Sequence, residues 1–225
     1  MWLKVACILA ALSFATIDAR SARTKRSLIK IFRWRDCGSD PDRPLTVSSF
    51  SMAPMPMMVP GNVTISFSGG SNRDMGNGKL KLTIIRQGWM PIYIPCVENI
   101  GSCEYADSCQ LLQAMKGWGP QAECIAHQIS QIIESAGANS RQALCKFKRG
   151  YAHSGYRTLY LPPLPNLPGM SLVMEANYQI RVQMTEHVTN AEIGCIDMNM
   201  SVRPIHGRGN ECPVNRENRH RKYPH

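Results

Sequence analysis

The cysteines are the residues whose number and spacing give the clearest indication of chemistry, namely disulfide bonding. Nine occur in the chain, three of them packed into IYIPCVENIGSCEYADSC at positions 92–109. Because Cys7 lies in a segment that we expect to be removed, an even set remains, and such density after a secretory start is typical of a disulfide framework. No Cys-x-x-Cys pair occurs, which argues against a zinc or thioredoxin-like site. The even set consists of Cys37, Cys96, Cys103, Cys109, Cys124, Cys145, Cys195 and Cys212.

The other reactive residue types form no catalytic pattern. The sequence contains neither Gly-x-Ser-x-Gly nor His-Glu-x-x-His, and its acidic residues are sparse. His127, His153 and His187 have no partner pattern, so we interpret them as solvated or packing histidines. The sequence therefore predicts a protein that is not an enzyme and needs no metal or cofactor, with a secreted hydrolase as the weakest alternative.

The N-terminal segment has the pattern of a secretory leader. A charged MWLK precedes the apolar run VACILAALSFATI, which is too short for a stable transmembrane helix. We expect a signal peptide over residues 1–19 and a basic, propeptide-like linker over residues 20–26. The linker ends in Arg23-Thr24-Lys25-Arg26, which suits a proprotein convertase and would place the mature N-terminus at Ser27, or is simply a solvated basic linker.

The formal net charge is +10 at pH 7. Much of it lies in the first 26 residues and in the polar tail 206–225, so the expected domain at 27–205 is only weakly basic. This distribution excludes a nucleic-acid-binding footprint. It suits an anionic membrane surface or an acidic partner, or serves solubility alone.

Most of the expected domain shows the period-two alternation of half-buried strands. The pattern covers 62–68, 79–86, 90–94, 157–161, 177–184 and 191–202, separated by Gly-, Asn- and Pro-rich turns. We expect a sandwich, barrel or cup of short strands. The predicted inward faces, which line a cavity or fill a plain core, consist of Val63, Ile65, Phe67, Leu82, Ile84, Ile92, Ile94, Ile180, Val182, Met184, Ile196, Met198 and Met200.

Helical spacing of apolar residues appears only in the stretch 104–136. Gly117-Trp118-Gly119-Pro120 interrupts it. We therefore expect one or two short helices, held by Cys109 and Cys124.

Methionines cluster with prolines just before Asn62. Methionine is flexible and polarizable, and proline keeps a loop extended. We interpret this segment as an apolar rim loop rather than core filler, because its prolines disfavour a central strand. The expected membrane-facing rim comprises Met55, Met57, Met58, Trp118, Leu167 and Met170; Trp118 is expected to be exposed on a mobile loop, whereas Trp89 suits either a rim or the core.

Seven segments carry a family resemblance in the family's order: FRWRDC (32–37), VPGNVTISF (59–67), IPCVENIGSC (94–103), CKFKRGY (145–151), LPPLPNLPG (161–169), NYQIRV (177–182) and GCIDM (194–198). Together they resemble the ML lipid-recognition domain family, in particular its lysosomal sphingolipid-binding members. The resemblance covers about residues 32–205. It implies an all-β fold, an immunoglobulin-like β-cup or sandwich of two antiparallel sheets around an apolar cavity, with one or two short helices and disulfide bonds.

The resemblance also implies the bridges Cys37–Cys195, Cys96–Cys103 and Cys109–Cys145. In the family a fourth bridge joins the match of Cys124 to the position held here by Ala143, so a Cys124–Cys212 bridge would restore the even count. Gly169 and Met170 stand where the family has an aromatic residue in a rim loop, which leaves a preference for glycolipid open.

Two N-glycosylation sequons begin at Asn62 and Asn199. By the alternation, both asparagines fall on the polar faces of their strands, as a glycan requires. We expect glycans at both.

The function implied by the resemblance is that of a secreted or lysosomal lipid-binding and lipid-transfer protein. Such a protein extracts a glycosphingolipid or similar lipid from a membrane surface and presents it to a soluble glycosidase of the β-hexosaminidase type. The alternative is an extracellular lipid carrier or lipid-sensing subunit that delivers a glycosphingolipid or phospholipid to a receptor.

Overall fold

A computed structural model of the chain describes residues 28, 30–135, 149–163, 175–205 and 212. The expected signal peptide, the basic linker and most of the polar tail lie outside these ranges, as do Cys145, Leu167 and Met170. Among the described residues, no helix is long and apolar enough to cross a membrane.

The described residues form eleven strands and two helices in the following order. The strands before the helices are β1 (Arg33–Asp36), β2 (Leu45–Ala53), β3 (Met57–Val59), β4 (Gly61–Ser71), β5 (Gly78–Gln87), β6 (Ile92–Tyr93) and β7 (Glu104–Tyr105). Then come α1 (Ser108–Met115), α2 (Pro120–Ser135), β8 (Gly150–His153), β9 (Arg157–Leu161), β10 (Ala176–Glu186) and β11 (Glu192–Pro204).

Two sheets make up the fold, in agreement with the predicted class. The first sheet has the order β1-β11-β10-β5-β6, with β3 and β7 added along β11 and β5. The second sheet has β4 at its centre, β2 on one side, and β8 and β9 in succession on the other. All pairings are antiparallel except that of β3 with β11.

Each stretch of alternating sequence contains a strand, although the segment predicted at 90–94 shortens to Ile92–Tyr93. Strand β2 was missed because its alternation is interrupted: a register shift between Val47 and Ser49 places Val47 and Phe50 on the same face although they are three residues apart. A search for strict alternation of apolar and polar residues therefore does not identify β2.

The two helices also follow the prediction, with the break at the expected glycines. Pro120 occupies the first position of α2, where its missing N–H leaves no hydrogen bond unmade. Gln128 of this helix donates from its Nε2 to the carbonyl oxygen of Tyr160 at 3.0 Å and accepts from the Tyr160 N–H at 2.6 Å. The helix thereby satisfies backbone groups of β9, which pairs with β4 on one side only.

Three disulfide bonds join described cysteines. Cys37–Cys195 ties the end of β1 to β11, and Cys96–Cys103 closes the loop after β6, as the resemblance implies. Cys124 in α2 is bonded to Cys212, the pairing expected because Ala143 replaces the partner that Cys124 has in the family. The predicted Cys109–Cys145 bridge involves a cysteine outside the described ranges.

Candidate functional site

The inner face of the first sheet is lined by three neighbouring rows of side chains. In β10, Tyr178, Ile180 and Val182 alternate onto this face. Since residues directly opposite each other across a ladder share a face, the register extends the surface to both neighbouring strands. The partners are Met200, Met198 and Ile196 in β11 and Arg86, Ile84 and Leu82 in β5.

The inner face of the second sheet is largely apolar, although the exposed Arg157 of β9 stands opposite Ile65 at its end. Val63 and Ile65 lie on it in β4, with Met52 of β2 opposite Ile65 and Leu159 of β9 opposite Val63. A buried cluster joins the two sheets and comprises Met57, Val63, Ala176, Tyr178, Met198 and Met200. The apolar faces of the sheets thus meet in the interior, as the alternation predicts.

Along β10, the middle of the first sheet's inner face is less buried than its ends. Tyr178 and Met184 are only 3% and 6% exposed, whereas Ile180 and Val182 between them are half-buried. Strand β10 has neighbours on both sides, so a filled sandwich would bury such side chains fully. Ile65 and Ile84 are half-buried too. The two faces therefore leave apolar surface accessible between them.

Eight of the thirteen predicted lining residues belong to the main cluster or pack against it: Val63, Ile65, Ile84, Ile180, Val182, Ile196, Met198 and Met200. Met184 belongs instead to a second cluster with Met75 and Ile193. The other four, Phe67, Leu82, Ile92 and Ile94, are half-buried residues outside both clusters.

The structure adds residues that the sequence reasoning did not assign to this surface. The main cluster also receives aromatic and aliphatic side chains from β2, β9 and the start of β1, including the residue just before it, namely Phe32, Trp34, Phe50, Met52, Leu159 and Leu161. Phe32 meets Phe50 edge-on at a centroid separation of 5.2 Å. Period-two spacing of Phe32 with Trp34 and of Leu159 with Leu161 was available as a signal, but only the sheet register assigns these residues to a face.

The predicted rim at the methionine-rich segment is corrected by the structure. Met57 is 7% exposed in the main cluster, Met55 packs against that cluster, and Met58 is half-buried. The reason is that β3 pairs with β11 and carries this segment to the first sheet. None of the flanking prolines lies within Met57–Val59, and β3 continues along an edge of the sheet, so these prolines do not prevent strand formation here.

Trp118 differs from the prediction as well. Its ring stacks on Tyr105 at a centroid separation of 5.6 Å, and the residue is half-buried rather than freely exposed. Among the described tryptophans, Trp89 is instead the exposed one, at 84%, with Met90 beside it in the connection from β5 to β6. An exposed tryptophan thus lies on a segment for which the sequence allowed either a rim or a core position.

A cationic side chain enters the otherwise apolar inner face at one end. Arg86 lies between Tyr178 of β10 and Ile92 of β6 in the cross-strand register. Its Nε is buried and has no hydrogen-bond partner among the described residues. Burial raises the pKa of Tyr178 to about 12, an effect that the charge of Arg86 partly offsets.

An ion-pair cluster covers the opposite, outer face of the first sheet. Asp197 is 1% exposed. Arg181 donates from Nε and a terminal nitrogen to both of its carboxylate oxygens, at 2.9 and 2.8 Å, and Arg35 donates to Oδ2 at 3.1 and 2.7 Å. The hydrogen bonds from Arg181, followed by those from Arg35, hold the Asp197 pKa below its usual value despite burial. Since a buried carboxylate with its charge matched is a structural feature, we assign it no ligand.

The two sequon asparagines differ in accessibility. Asn62 is exposed and Asn199 is half-buried, each on the outer face of its sheet. In the described part of the chain, no group of three or more histidine, cysteine, aspartate or glutamate side chains is arranged to hold a metal ion.

Comparison with known proteins gives a family and two relatives that align over most of the chain. The family model described as ML domain matches residues 32–202. Ganglioside GM2 activator from Macaca fascicularis is 26% identical over 197 residues, covering 86% of this chain and 95% of that protein. Its counterpart from Mus musculus is 27% identical over 198 residues, covering 85% and 92%. The resemblance read from the seven segments is thereby confirmed.

Two solved structures resemble the chain distantly. A Niemann-Pick type C2 protein from Japanese carpenter ant aligns with a TM-score of 0.38 and 11% identity, over 76% of this chain and 99% of that one. Chicken MD-1 complexed with lipid IVa aligns with a TM-score of 0.35 and 13% identity, over 76% and 88%.

Proposed function

Because the chain belongs to the ML domain family, we propose that it binds one lipid between its two sheets, lifts it from a membrane and presents it to a soluble glycosidase. The observation that carries this proposal is the half-buried apolar surface formed by Ile180, Val182, Ile84 and Ile65. The relatives named ganglioside GM2 activator favour a glycosphingolipid and an enzyme-activating role.

The binding energy comes from transferring acyl chains out of water. Each buried methylene contributes about 0.8 kcal/mol, so two chains supply far more than contacts at a loop. The protein acts here as a binding cofactor and not as the catalyst. Its disulfides suit the oxidising secretory pathway, from which we infer a secreted or lysosomal location.

Contact with the membrane is assigned to the connection between β5 and β6. Trp89 and Met90 are both exposed, and tryptophan is suited to a water–lipid interface because it combines an apolar body with one N–H donor. This segment begins where the inner-face row of β5 ends. A lipid entering at that end would pass from the exposed apolar residues to the accessible inner face.

A matched pair of variants tests whether the accessible surface is the lipid site. Ile84 and Ile85 are adjacent, half-buried isoleucines of β5 that point to the inner and outer faces. Ile84→Trp should fill the space between the sheets and abolish binding of a two-chain lipid while leaving the fold stable. Ile85→Trp should leave binding intact. If the interior is filled, Ile84→Trp should instead overpack it and lower stability by about 1–3 kcal/mol, and wild-type protein should bind no lipid.

Native mass spectrometry of the protein with dispersed lipid measures the stoichiometry, for which we expect one-to-one. Stimulation of a β-hexosaminidase acting on a membrane-bound glycolipid then tests presentation. Lipid binding and transfer between vesicles without any stimulation would favour the carrier or lipid-sensing function over the activator function. Turnover of a glycolipid by the purified protein alone would contradict both.

A further inference from the structure

We propose that Arg86 recognises an anionic headgroup, so that the lipid bound between the sheets is one carrying a phosphate, sulfate or carboxylate oxyanion. This inference rests on the proposed lipid-binding function and names the chemical class of its ligand. It derives from the placement of the Arg86 guanidinium on the otherwise apolar inner face of the first sheet, opposite Tyr178 and Ile92.

The side chain has a donor that the described residues leave unused. Arg86 Nε is buried and unpartnered, and none of the ion pairs among the described residues involves Arg86. An unmatched buried donor destabilises the unliganded protein, since its hydration is lost and not replaced. A ligand oxyanion would restore the missing acceptor, and the planar guanidinium suits bidentate binding of such a group.

Its position along β5 also fits a lipid. Leu82 and Ile84 precede it on the same face, while Trp89 and Met90 follow in the exposed connection. The apolar lining would therefore contact the acyl chains, Arg86 would contact the headgroup, and the exposed apolar segment would contact the membrane surface. On the outer face, by contrast, Arg181 is matched by Asp197, whereas Arg86 has no carboxylate partner among the described residues.

The test compares two lipids that differ only in the anion. Dioleoyl phosphatidic acid and dioleoylglycerol share their acyl chains, so their affinity ratio isolates the phosphate. We expect wild-type protein to bind phosphatidic acid at least about tenfold more tightly, as is usual for a hydrogen-bonded charge pair. Arg86→Gln should bring this ratio to about one without changing the affinity for dioleoylglycerol. Arg86→Lys keeps the positive charge but loses the planar, bidentate guanidinium. It should therefore retain part of the preference for phosphatidic acid.

Lys81→Gln is the matched control, because Lys81 is an exposed lysine of the same strand on the outer face. It removes one positive charge and should leave the ratio unchanged. Arg86→Met provides a readout on folding: replacing an unmatched donor with an apolar chain of similar length should not lower the melting temperature without lipid. A clear drop would show that Arg86 serves the fold and would overturn its assignment to the ligand.

The remaining outcomes separate the two proposals. Wild-type protein that binds both lipids equally, with Arg86→Gln unchanged, overturns the role of Arg86 and leaves lipid binding standing. Wild-type protein that binds neither lipid overturns the proposed function itself. Competition by inorganic phosphate or glycerol 3-phosphate at concentrations similar to those of the lipid would identify a free-anion site and overturn recognition of a lipid headgroup.

Discussion

Met57 lies directly opposite Val202 in the parallel pairing of β3 with β11. Since β2 and β4 both belong to the second sheet, the chain crosses to the first sheet at this pair and returns within a few residues. The crossing carries Met57 into the buried cluster between the sheets. The methionine-rich segment is therefore part of the wall that joins the sheets.

Because of this crossing, replacing two adjacent methionines with alanine should lower the free energy of unfolding by unequal amounts. Met57→Ala should lower the free energy of unfolding by about 2–4 kcal/mol, because it leaves a cavity in the buried cluster. Met58→Ala should cost less than about 1 kcal/mol, since Met58 is half-buried and points to the other side of the strand. Chemical denaturation measures both values. Equal, small losses would restore the interpretation of this segment as an exposed rim.

Changing the exposed connection between β5 and β6 should affect lipid transfer more than lipid binding. We expect the double variant Trp89→Ser, Met90→Ser to slow transfer between vesicles several-fold, because it removes exposed apolar surface, while affinity for dispersed lipid stays the same. Val188→Ser is the control, since Val188 is equally exposed but lies in the β10–β11 turn at the opposite end of the sheet. If both variants slow lipid transfer to the same extent, membrane contact is not localised to the connection between β5 and β6.

The ion-pair cluster predicts a specific dependence of stability on pH. The pKa of Asp197 is lower in the folded protein than the value of about 3.9 expected when unfolded. The ionised Asp197 therefore contributes its full share to the free energy of unfolding above about pH 4. This contribution is lost as the pH falls through the folded-state pKa of Asp197. Asp197→Asn should destabilise by about 2–3 kcal/mol at pH 7, less than a fully buried pair because Arg35 is largely solvated.

Urea unfolding at pH 7, 5 and 3 measures this dependence. The difference between wild type and Asp197→Asn should be constant from pH 7 to pH 5 and shrink at pH 3. The comparison isolates Asp197 from Asp36, whose pKa is also lowered by hydrogen bonds from Gly38, Arg43 and Val47 despite burial. A difference that is the same at all three values would rule out a contribution from the ionised Asp197.

Cys124–Cys212 should stabilise more than Cys96–Cys103. The first closes a loop with a sequence separation of 88 and the second one of 7. In the chain-entropy estimate these are worth about 4–5 and about 2 kcal/mol. Replacing both members of each pair with serine and measuring the free energy of unfolding gives the ranking. Alkylation of unreduced protein should leave Cys124 and Cys212 unlabelled, and labelling of either would argue against the bridge.

Glycan occupancy should differ between the two sequons. Asn62 is exposed in β4, whereas Asn199 is half-buried in β11 between β1 and β10. We expect Asn62→Gln to remove most of the glycan mass in protein from a eukaryotic host and Asn199→Gln to remove little. Intact-mass measurement before and after glycosidase treatment provides the comparison. The reverse ranking would mean that the local exposure of the folded strands does not govern occupancy.

Local patterns determined much of this protein. The alternation around Val63 and Ile180 identified strands and their faces, because a side-chain period of two depends only on the chain itself. The glycines and Pro120 placed the helix break. The family resemblance, in which Ala143 replaces the usual partner of Cys124, led to Cys124–Cys212. The motif segments identified the family that the comparison confirms.

Other features were decided by contacts between segments distant in sequence. Strand β3 exists because β11 offers a free edge beside Val202, and Trp118 is half-buried because Tyr105 lies against it. Periodicity assigned Ile180 to a face but could not say whether that face is filled, since this depends on the spacing of two sheets. The sequence likewise did not indicate a role for Arg86. Only the strand register shows that it lies between Tyr178 and Ile92, with apolar residues beside its charge.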